Sequence, residues 1–501
     1  MALLQLPCRI GRQPAPLETL GITKGPSNGI TGFVGSYYSS FSPKMRTRHP
    51  FPCKSITALS VSVSVDGECD KPLPHRPVSS DWESLYRRIQ LLGSQSIMSS
   101  SVLEEWIREG KPLAKWELRN ITRQLRQNSR FKQALEVSDW LIQHGTKYQL
   151  RSGDYAIHLD LISKVNGPHH AERYFLQLPK GMKNKLTYSA LLNVYVKENM
   201  KERAETTMKK MRMLGFLTSA LPYNRMMTLY LNTNNLEKIP ILLKEMRDSS
   251  TLPDANSYTI WITRCGAVSD VEEMDKVYLE LKKVSPERAN WIVYSTLANM
   301  YIKENLIEKA ELCLKEVENR IVNNERAPYK YLLSLYAGMG KKAEMYRIWK
   351  LYKTSFKNMT NSSYICLISS LVKLGDIEGA ESCFEEWESA GLSYDVRVTN
   401  ILLACYARKG MVKKAELFFV RMRRQGGMPN PNTWEILAEG YLQNGQLGNA
   451  LAAMEEAVSS GKGVGWKPKL ENVHAIFKDF EMQGDVENVE KCMSILRGMN
   501  L

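Results

Sequence analysis

Apolar side chains along most of this chain recur at helical spacing in short runs separated by turn residues. The clearest example is VRVTNILLACYARKGMVKKAELFFVRMRRQGGMPN, residues 396–430. ILLACYA places apolar residues on one helical face. Gly410 closes that helix, because glycine tolerates the left-handed conformation after a helix end. AELFFVRM then opens a second apolar stripe, Gly426 and Gly427 end it, and Pro429 prevents its continuation. The pattern predicts two short antiparallel helices. One such pair cannot bury its own apolar faces, whereas stacked pairs bury a continuous core.

The unit repeats. Gly340, Gly375, Gly410 and Gly445 stand 35 residues apart, as do Ala380, Ala415 and Ala450. Tyr188, Tyr223 and Tyr258 keep the interval, and so do Tyr294, Tyr329 and Tyr364. Tyr301 and Tyr336 repeat it again, as do Tyr406 and Tyr441. Phasing on the small residue of the second helix sets units starting near 115, 152, 185, 220, 255, 291, 326, 361, 396, 431 and 470. The expected fold is all-α: a right-handed superhelical α-solenoid of about eleven two-helix repeats of ~35 residues, over residues 115–501. A further helical pair at 81–114 is expected to cap it.

These features resemble the pentatricopeptide repeat family, in the form whose units are all near 35 residues. The resemblance rests on the unit length, a Tyr near the start of the first helix, Gly between helices and small Ala in the second helix. It rests also on the unit endings SSTLPD (249–254), AGLSYD (390–395) and GGMPN (426–430). It implies a wall of first helices whose parallel side chains meet successive bases of single-stranded RNA. The fifth and last residues of a unit then share one base edge, and the second residue packs against the base. Carried over, Asn224 with Asp254 implies a uracil reader, Thr259 with Asn290 an adenine reader, and Asn400 with Asn430 a pyrimidine reader. Other units depart from this pattern. Their fifth residues are Ala156, Ser189, Ser295, Lys330, Ile365, Glu435 and His474, and their second residues include Asn256, Ser362, Arg397 and Asn432. The tyrosines that precede the fifth position are expected in the inter-repeat core rather than as stacking platforms.

Charge supports an anionic partner. The chain carries 68 Lys+Arg against 53 Asp+Glu, a formal net charge of +15. Residues 1–65 hold seven of those cations and one acid, Glu18, in a stretch dense in Ser, Thr, Gly and Pro. That composition is expected of a disordered organelle transit peptide, for the chloroplast before the mitochondrion. Residues 66–80 read as a linker. Basic runs at 44–50, 208–213, 340–353 and 421–425 are candidates for phosphate contact. No stretch approaches the ~18 apolar residues of a membrane span.

Catalytic motifs are missing from the sequence. Zinc-dependent deamination, which some members of the resembled family carry, needs H-x-E followed by P-C-x-x-C. His170-Ala171-Glu172 matches the first half, but the nine cysteines include no CxxC. There is no GxxxxGK[ST] or HExxH, and the GxSxG match, Gly25-Pro26-Ser27-Asn28-Gly29, falls in the Ser-, Gly- and Pro-dense residues 1–65. The sequence therefore calls for no enzyme, cofactor, metal, membrane or small-molecule substrate. Its expected partner is single-stranded organelle RNA, with a structural role bracing ribosomal RNA and proteins as the alternative.

Overall fold

The computed structural model describes residues 82–91, 98–285, 288–322, 325–462 and 466–498. The segments expected as transit peptide and linker lie outside them. All regular structure among the described residues is helical. The first helices of successive units are Lys115–Gln127, Ser152–Asn166, Lys185–Lys197, Ala220–Asn232, Ala255–Ala267, Trp291–Lys303, Ala327–Gly338, Asn361–Leu374, Val396–Arg408, Pro431–Gln443 and Leu470–Gln483. The second helices are Phe131–Gln143, Pro168–Gln177, Lys201–Met213, Lys238–Asp248, Val271–Leu281, Ile307–Glu318, Lys342–Ser355, Ile377–Ser389, Val412–Arg424, Leu447–Gly461 and Val486–Gly498. Helices Trp82–Leu91 and Ser99–Arg108 precede them and pack against each other. Each first helix packs on its own second helix and, at the junctions from the unit at 152 onward, on neighbouring first helices. The result is an α-solenoid.

The turn between paired helices explains the glycine ladder and extends it. Gly340, Gly375, Gly410 and Gly445 all have φ between +69° and +78°. The same place in earlier units is held by Asn199, Asn234, Ser269 and Asn305, with φ between +52° and +60°. Asparagine tolerates this region better than other side-chain-bearing residues, so the backbone repeats where the glycine does not.

The second helices turn small or slim residues inward. Ala204, Ala310, Ala380, Ala415 and Ala450 are at most 2% exposed, and Ile239, Met274 and Met345 fill the same register fully buried. The tyrosine ladders are core: Tyr223, Tyr258, Tyr294, Tyr301, Tyr364 and Tyr406 are essentially inaccessible. Each buried hydroxyl still needs a partner. Tyr301 donates to Asp275 at 2.8 Å, Tyr406 to Glu381 at 2.7 Å and Tyr230 to Glu205 at 3.0 Å.

The same carboxylates bind a lysine of the next second helix: Lys309 on Asp275 at 2.6 Å, Lys414 on Glu381 at 2.6 Å and Lys238 on Glu205 at 2.7 Å. Glu172 repeats the arrangement with Tyr195 and Arg203. Acid, tyrosine and cation thus form a clasp from each such unit to its successor. Burial, reinforced by the carboxylate, pushes the Tyr230, Tyr301 and Tyr406 hydroxyls well above the ordinary tyrosine range. At the junction of the units starting at 220 and 255 the three clasp positions are Pro240, Cys265 and Glu273. A second ion pair, Arg247 to Glu280 at 3.0 Å, spans that junction.

The cysteines expected in apolar helical stretches are free and buried, with Cys366 half-buried. Burial raises the thiol pKa of Cys265, Cys366 and Cys383, each to about 11. Among the described residues no helix is long and apolar enough to cross a membrane, and no cluster of His, Cys, Asp or Glu could hold a metal ion.

Candidate nucleic-acid interface

A first helix begins just after an N-cap residue that is also the last residue of the preceding unit, except in the unit at 326, where the N-cap is Arg326 itself. Asp254, Asn290 and Asn430 occupy that place, and each accepts backbone N–H bonds from the helix it opens. The capping role is therefore real for all three. It uses one side-chain oxygen and leaves the other end of the group for further bonding.

Two of the three sequence-derived pairs are joined. The Asn224 amide donates to Asp254 Oδ1 at 2.9 Å, and the Asn400 amide donates to Asn430 Oδ1 at 3.4 Å. Both first members lie in the first turns of first helices, and Asn224 is only 6% exposed. In the first pair, Oδ1 of Asp254 is committed to the cap and to Asn224. Oδ2 then remains as an acceptor beside the second amide hydrogen of Asn224. In the second pair, the amide nitrogen of Asn430 is a donor beside that of Asn400. One edge offers donor plus acceptor; the other offers two donors.

The third pair is not joined. Thr259 turns its hydroxyl back onto the Ala255 carbonyl at 2.8 Å. Asn290 accepts from the backbone N–H groups of Ile292 and Val293 at 3.1 and 3.3 Å.

Fifth residues elsewhere are occupied otherwise. The Ser295 hydroxyl bonds the Ile292 carbonyl, Lys330 reaches Ser362 at 2.7 Å, and Glu435 accepts from the Lys469 backbone at 2.7 Å. Burial holds the Glu435 carboxyl above its usual range. Among the second residues, Arg397 is forked onto Asp395, and Asn432 accepts from the Trp466 indole.

The basic run at 44–50 lies outside the described residues, and those at 208–213, 340–353 and 421–425 lie on second helices and tie repeats together. Arg212 pairs with Glu245 at 2.7 Å, Arg347 with Glu318 at 2.7 Å, Lys353 with Glu386 at 2.7 Å, and Arg421 with Glu388. A row that sequence reading missed lies on the first helices instead. Arg126, Lys164, Lys197, Lys303, Lys373 and Arg408 stand in their last turns, where cations complement the helix dipole. Three of these surround Asp160, at 3.0 Å for Arg126, 2.9 Å for Lys164 and 3.6 Å for Lys197. Burial opposes ionisation of Asp160, and the cations outweigh it, so the carboxyl sits below its ordinary range. The signal for this row was the recurrence of Lys or Arg twelve or thirteen residues into a unit.

A stack of two-helix units with polar first-helix starts defines a helical-repeat binding scaffold. Comparison makes the class specific. The model of the PPR repeat matches residues 186–216, 292–320, 362–392 and 398–427. Pentatricopeptide repeat-containing protein At1g02150 of Arabidopsis thaliana is 40% identical over 92% of this chain and 88% of its own length. The large ribosomal subunit protein mL101 (rPPR4) of the same plant is 38% identical over 83% of this chain and 84% of its own. The crystal structure of the pentatricopeptide repeat protein PPR10 in complex with an 18-nt psaJ RNA element superposes with a TM-score of 0.52 at 18% identity. That match covers 83% of this chain and 60% of the PPR10 chain, so this chain spans about three fifths of it. The chain belongs to the pentatricopeptide repeat family.

Proposed function

We propose that this protein binds single-stranded RNA in an organelle and acts on transcripts by occupancy, without catalysis. The observation that carries the reading is the pair of joined amide sites, Asn224–Asp254 and Asn400–Asn430, on the wall of first helices. A donor beside an acceptor fits the N3–H and O4 edge of uracil, and two donors fit the N3 and O2 acceptors of cytosine. Thr259 and Asn290 are the third proposed reader, closed in the free protein and free to turn toward an adenine edge. The row of last-turn cations supplies attraction for phosphates. Binding alone suffices to block exonucleases, prevent hairpins or expose a ribosome site. For the compartment, relatives named mitochondrial favour the mitochondrion over the chloroplast that composition suggested. The helical pair at 82–108 closes the array at its N-terminal side.

A second reading is a ribosome-associated structural subunit. The similarity to mL101 favours it, as does the commitment of Ser295, Lys330 and Glu435 to bonds within the protein. Crosslinking in organelle extracts, with sequencing of the bound RNA and gradient sedimentation, separates the two. Narrow transcript footprints away from ribosomes are expected. Co-migration with a ribosomal subunit and crosslinks to ribosomal RNA would move the conclusion to the second reading. Recovery of no RNA at physiological salt would sink both.

A further inference from the structure

We infer that Ser257 and Thr433, each the third residue of the unit following a reader, are positioning residues that orient the base-reading amides of Asn224 and Asn400. The inference rests on the RNA reading above. Ser257 Oγ donates to Asn224 Oδ1 at 2.7 Å, and Thr433 Oγ1 donates to Asn400 Oδ1 at 2.9 Å. Each hydroxyl oxygen in turn accepts the backbone N–H of the cap residue, Asp254 at 3.2 Å and Asn430 at 3.1 Å. Both side chains are fully buried. The chain of donation runs from the cap N–H through the hydroxyl to the amide oxygen. It fixes which end of the amide is oxygen, so the nitrogen must face the last residue of its own unit. The donor presented to a base is thereby set before RNA arrives.

Capping alone does not explain this geometry, and the molecule contains its own controls. Thr187 and Ser363 stand at the same third position and complete the same kind of cap. Their preceding fifth residues are Ala156 and Lys330, which offer no amide. Their hydroxyls donate instead to main-chain carbonyls, Thr187 to Met182 at 2.8 Å and Ser363 to Thr360 at 2.6 Å. The hydroxyl is redirected only where an asparagine lies opposite. The unjoined reader fits the same rule: the residue in that register after Thr259 is Val293, which has no proton to give.

The test uses the full chain and a pool of single-stranded RNA with a random 16-nucleotide stretch, sequencing the bound fraction. Wild-type protein is expected to enrich a pyrimidine at two positions five nucleotides apart, because the units at 220 and 396 are five repeats apart. Ser257→Ala should flatten the preference at the first position by about fivefold, the worth of one such bond. Thr433→Val should do the same at the second position only. Ser257→Thr and Thr433→Ser should retain both. Thr187→Ala, which removes a capping hydroxyl with no amide opposite, should change neither. Wild-type preference that survives in Ser257→Ala and Thr433→Val overturns the inference and leaves the RNA reading standing. Equal loss in Thr187→Ala also overturns it, since general destabilisation would then explain the effect. A wild-type protein that enriches no sequence overturns the RNA reading itself.

Discussion

The units starting at 115 and 220 use one register in opposite ways. In the later unit, Asn224 meets Ser257, the third residue of its successor, through a neutral bond that leaves its amide nitrogen to the last residue of its own unit. In the earlier unit, the fifth residue is Arg119, and the third residue of its successor is Asp154. They meet at 2.9 Å, and Lys115 binds the second carboxylate oxygen at 2.8 Å. Asp154 is 3% exposed and also caps its helix through the Arg151 N–H. Burial would raise its pKa, but the Arg151, Lys115 and Arg119 bonds outweigh it and hold the carboxyl below its usual range. The charged version spends every valence on the protein. The amide version keeps some for a ligand. Position within a repeat therefore does not make a reader; a reader needs neutral partners with bonds to spare.

The largest effect should come from Asp154→Ala. It strands Arg119 and Lys115 and removes a cap, and about 3–4 kcal/mol of local stability should be lost at residues 115–166. Hydrogen exchange of amides in the two helices reads this directly. The double change Arg119→Asn with Asp154→Ser, which imports the amide arrangement, should restore stability to within about 1 kcal/mol of the wild type. A double variant as unstable as the single would break the equivalence of the two arrangements.

Acid should separate the regions nearly as strongly. His158 is 3% exposed, bonded to Ser138 at 2.9 Å, and burial lowers its pKa to about 4. Asp139 lies 3.3 Å from its Nε2 in a half-exposed position. In the unfolded chain the ring titrates near the ordinary value of 6.5. Between these values the unfolded state binds more protons. The stabilisation is thus complete above pH 6.5 and is lost as pH falls toward 4, by about 3 kcal/mol. Exchange protection at 152–166 should fall over this window while that at 220–232 holds. His158→Gln should remove the difference, and a fall that persists in this variant would refute the assignment.

The smallest effect sharpens the comparison by crossing it. Clasps also join the unit at 152 to that at 185 and the unit at 361 to that at 396, one near the charged junction and one far from it, so breaking them should cost the same at each. Glu172→Ala deprives Tyr195, and Glu381→Ala deprives Tyr406, of the acceptor for a buried hydroxyl. Each should lower local stability by about 1–2 kcal/mol. Unequal losses, read by the same exchange measurement, would show that the regions differ in their second helices as well.

Much of the scaffold was legible because it is written in residue types that repeat. Helix starts followed from the spacing of Ala380, Ala415 and Ala450, and hairpin turns from Gly340 to Gly445. The turns at Asn199, Asn234 and Ser269 escaped because the backbone repeats while the residue type changes. The clasps escaped for a different reason. Tyr301 and Asp275 are 26 residues apart, on different helices of different units, and nothing local to either announces the other. The reader pairs came from family resemblance rather than from pattern. Their joining through Ser257 and Thr433 was hidden, since a hydroxyl three residues after a cap reads as capping alone. The basic runs misled because local charge density does not reveal that an acid waits one repeat away.

The clasp has one more consequence, which concerns how such a chain can change its length. At Glu172, Glu205, Asp275 and Glu381 the acid belongs to the earlier unit, and the tyrosine and cation belong to the later one. A unit clasped on both sides, such as that starting at 185, therefore carries both halves of a directional joint. Excision of residues 185–219 would bring Glu172 against Tyr230 and Lys238, the same three groups that meet now between other units. Duplication of that segment would work equally well. A cut in the middle of a unit would leave two halves of the same sex facing one another. The array is thus punctuated for gain and loss of whole repeats, and a recombination event in register inherits a finished seam.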